Sequence, residues 1–133
     1  MKKAVIILGL IFIFTNEIKA SNCELKIENQ AEFSIYSNSP FHLAISKGDI
    51  ETVKRFIKYG ANINKIVNNM TPLMVAARFN QVEIIKILLE NGAEPSLENE
   101  RGYTALHFAE FGKSAESIAI LNKVNMEKSR KHK

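Results

Sequence analysis

Three stretches of this chain can be laid over one another. They are Ser39-Pro40-Phe41-His42-Leu43-Ala44, Thr71-Pro72-Leu73-Met74-Val75-Ala76 and Thr104-Ala105-Leu106-His107-Phe108-Ala109, offset by 32 and then 33 residues. Two further sets keep the step: Glu51, Glu83 and Glu116, then Gly60, Gly92 and Asn125. A fixed period of this size marks a stack of supersecondary units, each unable to bury its apolar side alone.

Each unit reads as two helices. Ser39, Thr71 and Thr104 stand where a hydroxyl N-cap accepts a backbone N–H, and Pro40 and Pro72 sit at a first helical position that needs no donor. A short inner helix follows, with Ala44, Ala76 and Ala109 small enough to let neighbouring helices approach. The second helix of the middle unit, 82–91, is apolar nearly all round, which suits a helix packed between two others. Gly60 and Gly92 close the second helices in the left-handed conformation, and Asn125 is the expected substitute in the last unit. Gly102, and Asn69 in the shorter first connection, mark tight hairpin tips that need positive φ.

These residues resemble the ankyrin repeat. The family's T-P-L-H-x-A core appears at 71–76 and 104–109. Its E-x-x-K-x-L-L-x-x-G-A half appears at 83–93, and its G-A-N-I-N end as Gly60-Ala61-Asn62-Ile63-Asn64. The resemblance implies an all-α solenoid of about three helix-turn-helix repeats with β-turn or hairpin connections. We divide the chain into a signal peptide (1–20), a lead-in or cap (21–38), repeats over 39–126 (39–65, 66–98, 99–125) and a basic tail (127–133). The last repeat departs from the pattern with Glu110, Ser117, Ala119 and Asn122. The expectation is a polar terminal helix that no further repeat covers.

The two ends carry separate signals. Lys2 and Lys3 precede an unbroken 11-residue apolar run over 4–14, and Ala20 offers a small residue for cleavage. That is the three-part pattern of a secretory signal, and the run is too short to span a bilayer. The alternative is an uncleaved anchor that makes the chain a membrane-tethered structural module. The net charge of +4 belongs to the ends. Lys2, Lys3 and Lys19 against Glu17 give 1–20 a net of +2; Lys128, Arg130, Lys131 and Lys133 against Glu127 give 127–133 a net of +3. The body between is −1, which gives little support for nucleic-acid binding. The tail reads as a frayed, solvated end, with contact to anionic lipid or an acidic partner as the alternative. Cys23 is the one cysteine, so no intrachain disulfide exists. The expectation is a monomer, with Cys23 as the thiol through which a dimer could be linked.

No catalytic or metal motif is present, and we expect no enzyme activity, cofactor, metal or small-molecule substrate. His42 and His107 fall at the T-P-L-H position, where the family implies a brace that hydrogen-bonds backbone across the inter-repeat turn. Glu51, Glu83 and Glu116 recur at the repeat period and are scaffold. Asn69-Met70-Thr71 matches the N-glycosylation pattern, which matters only in a eukaryotic secretory pathway.

The resemblance implies a protein partner on the concave face of hairpin tips and inner helices. By alignment with the family, the partner-binding positions are Lys47, Met70, Arg78, Phe79, Arg101, Tyr103 and Phe111. We expect Phe79 and Phe111 to form an exposed aromatic patch flanked by Arg78 and Arg101, against the alternative that both rings are partly buried between repeats. The abundance of Lys, Ile and Asn and the single short domain suggest a bacterial protein, exported to the periplasm or secreted. Small bacterial ankyrin proteins of this kind include neutralisers of toxins, helpers of periplasmic enzymes and factors delivered to host cells.

Overall fold

In the computed structural model, which describes residues 39–133, six helices follow one another. They are α1 (Pro40–Lys47), α2 (Ile50–Lys58), α3 (Pro72–Arg78), α4 (Val82–Glu90), α5 (Ala105–Phe111) and α6 (Ala115–Lys131). The signal, the lead-in and Cys23 lie outside the described residues. The helices pair within repeats, α1 with α2, α3 with α4 and α5 with α6. Across repeats α1, α3 and α5 form one row, and α2, α4 and α6 a second. This is the all-α stack that the period requires.

The inner row starts at the expected caps. The Ser39 hydroxyl accepts from the His42 N–H at 3.4 Å, and that of Thr71 from the Met74 N–H at 3.2 Å. Between two neighbours, α3 buries every residue from Pro72 to Ala77, and only Arg78 escapes to solvent. Ala44, Ala76 and Ala109 are all buried. Gly112 leaves room for the end of α3: a Cβ there would stand 2.2 Å from the Arg78 carbonyl oxygen.

Hydrogen bonds repeat with the fold. Gln81 donates from its amide to the Ser46 carbonyl at 3.4 Å; one repeat later, Ser114 donates to the Arg78 carbonyl at the same distance. On the opposite edge Asn64 donates to the Gly92 carbonyl and accepts from the Glu94 N–H, at 3.2 and 2.9 Å. Each bond satisfies a loop or helix-end group that the chain's own helices leave open.

His42 acts as the expected brace. Its Nε2–H donates to the Met70 carbonyl, 28 residues on, at 3.2 Å. Its Nδ1 therefore accepts from the Ser39 hydroxyl at 2.7 Å, which requires the neutral ring. His107 braces only its own repeat, its Nδ1 accepting from the Thr104 N–H at 3.0 Å. In the middle repeat, Met74 replaces histidine and its sulfur accepts from the Thr71 N–H instead.

Two expectations about the last repeat are corrected. Asn125 does not close the final helix: α6 runs through it to Lys131, so the tail is helical for most of its length. No glycine releases the backbone there. Residues 126–128 are good helix formers, the basic side chains of the last turn favour the helix C-terminus, and Lys128 reaches back to Glu94 at 2.9 Å. Ser117 does not face solvent as a polar cap. It is 0% exposed, and its hydroxyl donates to the Asn80 amide oxygen at 2.7 Å. Ala119 and Asn122 do face solvent.

Gly112→Ala should destabilise by about 1–3 kcal/mol in urea titration by crowding the Arg78 backbone, and Gly112→Asn no less. Gly92 (φ 93°) has nothing near its missing Cβ, so Gly92→Ala should cost about 1–2 kcal/mol and Gly92→Asn much less. Burial holds the His42 pKa below its ordinary value of 6.5. The neutral ring's contribution is therefore complete above that value and is lost as pH falls through the folded pKa. Melting temperature should drop between pH 7.5 and 5, and His42→Gln, less stable throughout, should show a shallower dependence.

Candidate protein-binding face

The hairpin tips differ by one residue, which accounts for the step of 32 and then 33. In the first, Val67 and Met70 exchange backbone hydrogen bonds of 3.0 and 3.1 Å around Asn68 (φ 50°) and Asn69 (φ 63°). Positive φ at both central residues is the signature of a two-residue hairpin turn. In the second, the Asn99 N–H donates to the Tyr103 carbonyl at 3.0 Å across a tip one residue longer, with Gly102 at φ 76°. The Asn99 side-chain oxygen accepts from the N–H groups of Arg101 and Tyr103 and fixes the shape of this tip.

The tips are tied to each other. Asn99 donates from its amide to the Asn69 carbonyl at 3.1 Å, and the Asn69 side-chain oxygen accepts from the Glu100 N–H at 3.0 Å. The Asn69-Met70-Thr71 sequon is thus engaged in the fold: Asn69 holds the second tip, and the Thr71 hydroxyl is buried at the helix cap.

Between the tips and the inner helices lies an open depression of about 300 Å³. It brings together five of the seven expected residues, Met70, Arg78, Arg101, Tyr103 and Phe111, and adds Phe108. The Tyr103 ring meets Phe111 edge-on at 5.3 Å and Phe108 at 6.4 Å, and Phe108 meets Phe111 edge-on at 5.9 Å. Phe111 is 59% exposed, and Arg78 and Arg101 are exposed beside it.

The expected patch is corrected in its membership. Phe79 is half-buried against the core under the Arg78 guanidinium, 5.9 Å from its ring centre, and Phe108 takes its place in the aromatic group. Met70 is 5% exposed and forms floor, since its carbonyl receives His42 and its side chain joins the core. Lys47, at the end of α1, is exposed but does not line the depression. Phe108 was legible: it stands three residues before Phe111, a spacing that puts both on one helix face. The repeat motif leaves its position unassigned.

A family model of ankyrin repeats in three copies matches residues 10–99 and again 41–132. The chain belongs to the ankyrin repeat family. It is 38% identical over 94 residues to the human transient receptor potential cation channel subfamily A member 1, covering 69% of this chain and 8% of the channel. It is 37% identical over 82 residues to a putative ankyrin repeat protein of Rickettsia bellii, covering 56% of this chain and 49% of that one. It is 29% identical over 99 residues to the phosphocholine transferase AnkX of Legionella pneumophila, covering 73% of this chain and 10% of the transferase. The chain spans less than half the length of each. Ankyrin repeats generally mediate protein–protein interaction and are generally not enzymes; where the relatives are enzymes, the matched part is repeats.

Truncation should separate the floor of the depression from its rim. Met70→Ala should cost about 2–5 kcal/mol of stability, as burial demands. Phe111→Ala should shift stability by no more than about 0.5 kcal/mol, as surface changes do. Equal losses in urea titration would remove Phe111 from the free surface.

Proposed function

We propose that this chain is a non-enzymatic recognition module that captures a protein partner in the depression formed by the hairpin tips and the inner helices, outside the cytoplasm. The convergence of Tyr103, Phe108 and Phe111 with Arg78 and Arg101 carries the reading. Aromatic and arginine side chains are the usual anchors of interfaces, and here they share one concavity at the edge of a stack whose core is already satisfied. Export rests on Lys2, Lys3, the apolar run over 4–14 and Ala20. Among the described residues no helix is long and apolar enough to cross a membrane. The module works as a monomer, and toxin neutralisation, support of an envelope enzyme and delivery to a host cell all demand the same kind of face.

Two measurements test this. The mass of the chain recovered from its native cells should lack Met1 to Ala20, in the envelope or secreted fraction; a cytoplasmic chain of full mass sinks the export reading. A photo-crosslinking residue at Phe111 should trap a protein in those cells, and one at Tyr59, exposed at the end of α2, should not. Equal trapping at both sites, or trapping at Tyr59 alone, rules out the depression as the docking face.

A further inference from the structure

Resting on that reading, we infer that the segment this depression receives is acidic: an Asp or Glu carboxylate set between Arg78 and Arg101, beside an aliphatic or aromatic side chain seated on Phe111 and Phe108. The charge is local. Residues 39–126 hold ten basic and nine acidic side chains, yet the depression is lined by two arginines and by no carboxylate. Among the described residues the one ion pair is Lys128 with Glu94, on the other side of the second tip's connection, so neither guanidinium is neutralised by a carboxylate of its own repeats. Arg78 instead lies near the face of Phe79 and is held on the rim by it.

Two asparagines of the wall are already engaged. Asn69 and Asn99 spend their side chains tying the tips together, which leaves the two guanidinium forks as the charged groups facing an incoming chain. A planar fork pairs with a carboxylate through two parallel hydrogen bonds, and such charge-assisted bonds are stronger than neutral ones. The apolar side of the hollow has its own selectivity. Tyr103, Phe108 and Phe111 pack edge to face and together offer an apolar surface to an aliphatic or aromatic side chain.

The test pans the purified full-length chain against a random dodecapeptide phage library and measures selected peptides by fluorescence anisotropy. Selected sequences should be rich in Asp or Glu next to Leu, Ile, Val or Phe. Arg101→Glu or Arg78→Glu should weaken the best peptide about tenfold, replacing its acid by the amide should do the same, and added salt should weaken it. Selecting afresh on the Arg78→Glu, Arg101→Glu double variant should return basic peptides. Peptides that are lost on Phe111→Ala but carry no acid, or ignore Arg101→Glu, overturn the acidic assignment and leave the docking face standing. Peptides indifferent to both Phe111→Ala and Tyr103→Ala overturn the face itself. A library yielding no peptide bound in the depression also counts against the inference.

Discussion

The contact between one inner helix and the next governs this molecule. None of the helix pairs can close a core by itself: α3 has apolar residues on every side, and it is dry only because α1, α4 and α5 surround it. The contact is short because alanines occupy the same place in all three repeats and because Gly112 carries no side chain against the Arg78 carbonyl. Close approach is also what brings the loop groups into register. Ser114 reaches Arg78, Gln81 reaches Ser46, and Asn64 spans to 92–94 only at one spacing between repeats. The hydrophobic term supplies most of the drive, and the polar bonds select a geometry in which, among the described residues, no buried side-chain nitrogen or oxygen is left without a partner.

The repeat period and the cap chemistry were readable because they are local. A hydroxyl before a proline, a glycine after an apolar helix and an asparagine at a hairpin tip each answer a backbone requirement within a few residues. What escaped the sequence depends on partners about a repeat away. Ser117 looks like a solvated polar substitution until Asn80, 37 residues earlier, is seen to receive its hydroxyl. Met70 looks like a tip residue until His42 is seen to draw its backbone inward. The end of α6 failed for a different reason. Analogy with Gly60 and Gly92 supplied a stop at Asn125, but asparagine only tolerates the left-handed conformation and does not impose it. The helix-forming residues beyond it, with Lys128 on Glu94, continue the helix.

The candidate face was half legible for a related reason. Family alignment assigns positions by their place in the repeat, and five of the seven do converge. It cannot weigh how a given side chain resolves competition between the groove and the core. Phe79 is the residue after the end of α3, the most enclosed helix, and its ring packs against the core. Phe111 terminates α5, and its ring stays largely in solvent. The two are not equivalent: with the step of 33 residues Phe79 falls at Gly112 and Phe111 at Arg78, and in both repeats it is the last residue of the inner helix that stays in solvent.

The two hairpin tips differ by one residue. The shorter tip turns on Asn68 and Asn69, and its Met70 is buried. The longer tip, held open by Asn99, carries Arg101 and Tyr103 over the end of α5, where Tyr103 meets Phe111. The neighbouring tips, unequal in length, are tied through Asn69, and both contribute to the wall of the depression. Its shape is thus set by residues that a partner need not touch, and its chemistry by the few it would. Such a division lets arginines and aromatic rings in the groove change while the asparagine ties and the Ser39–His42–Met70 brace, which hold the walls, stay as they are.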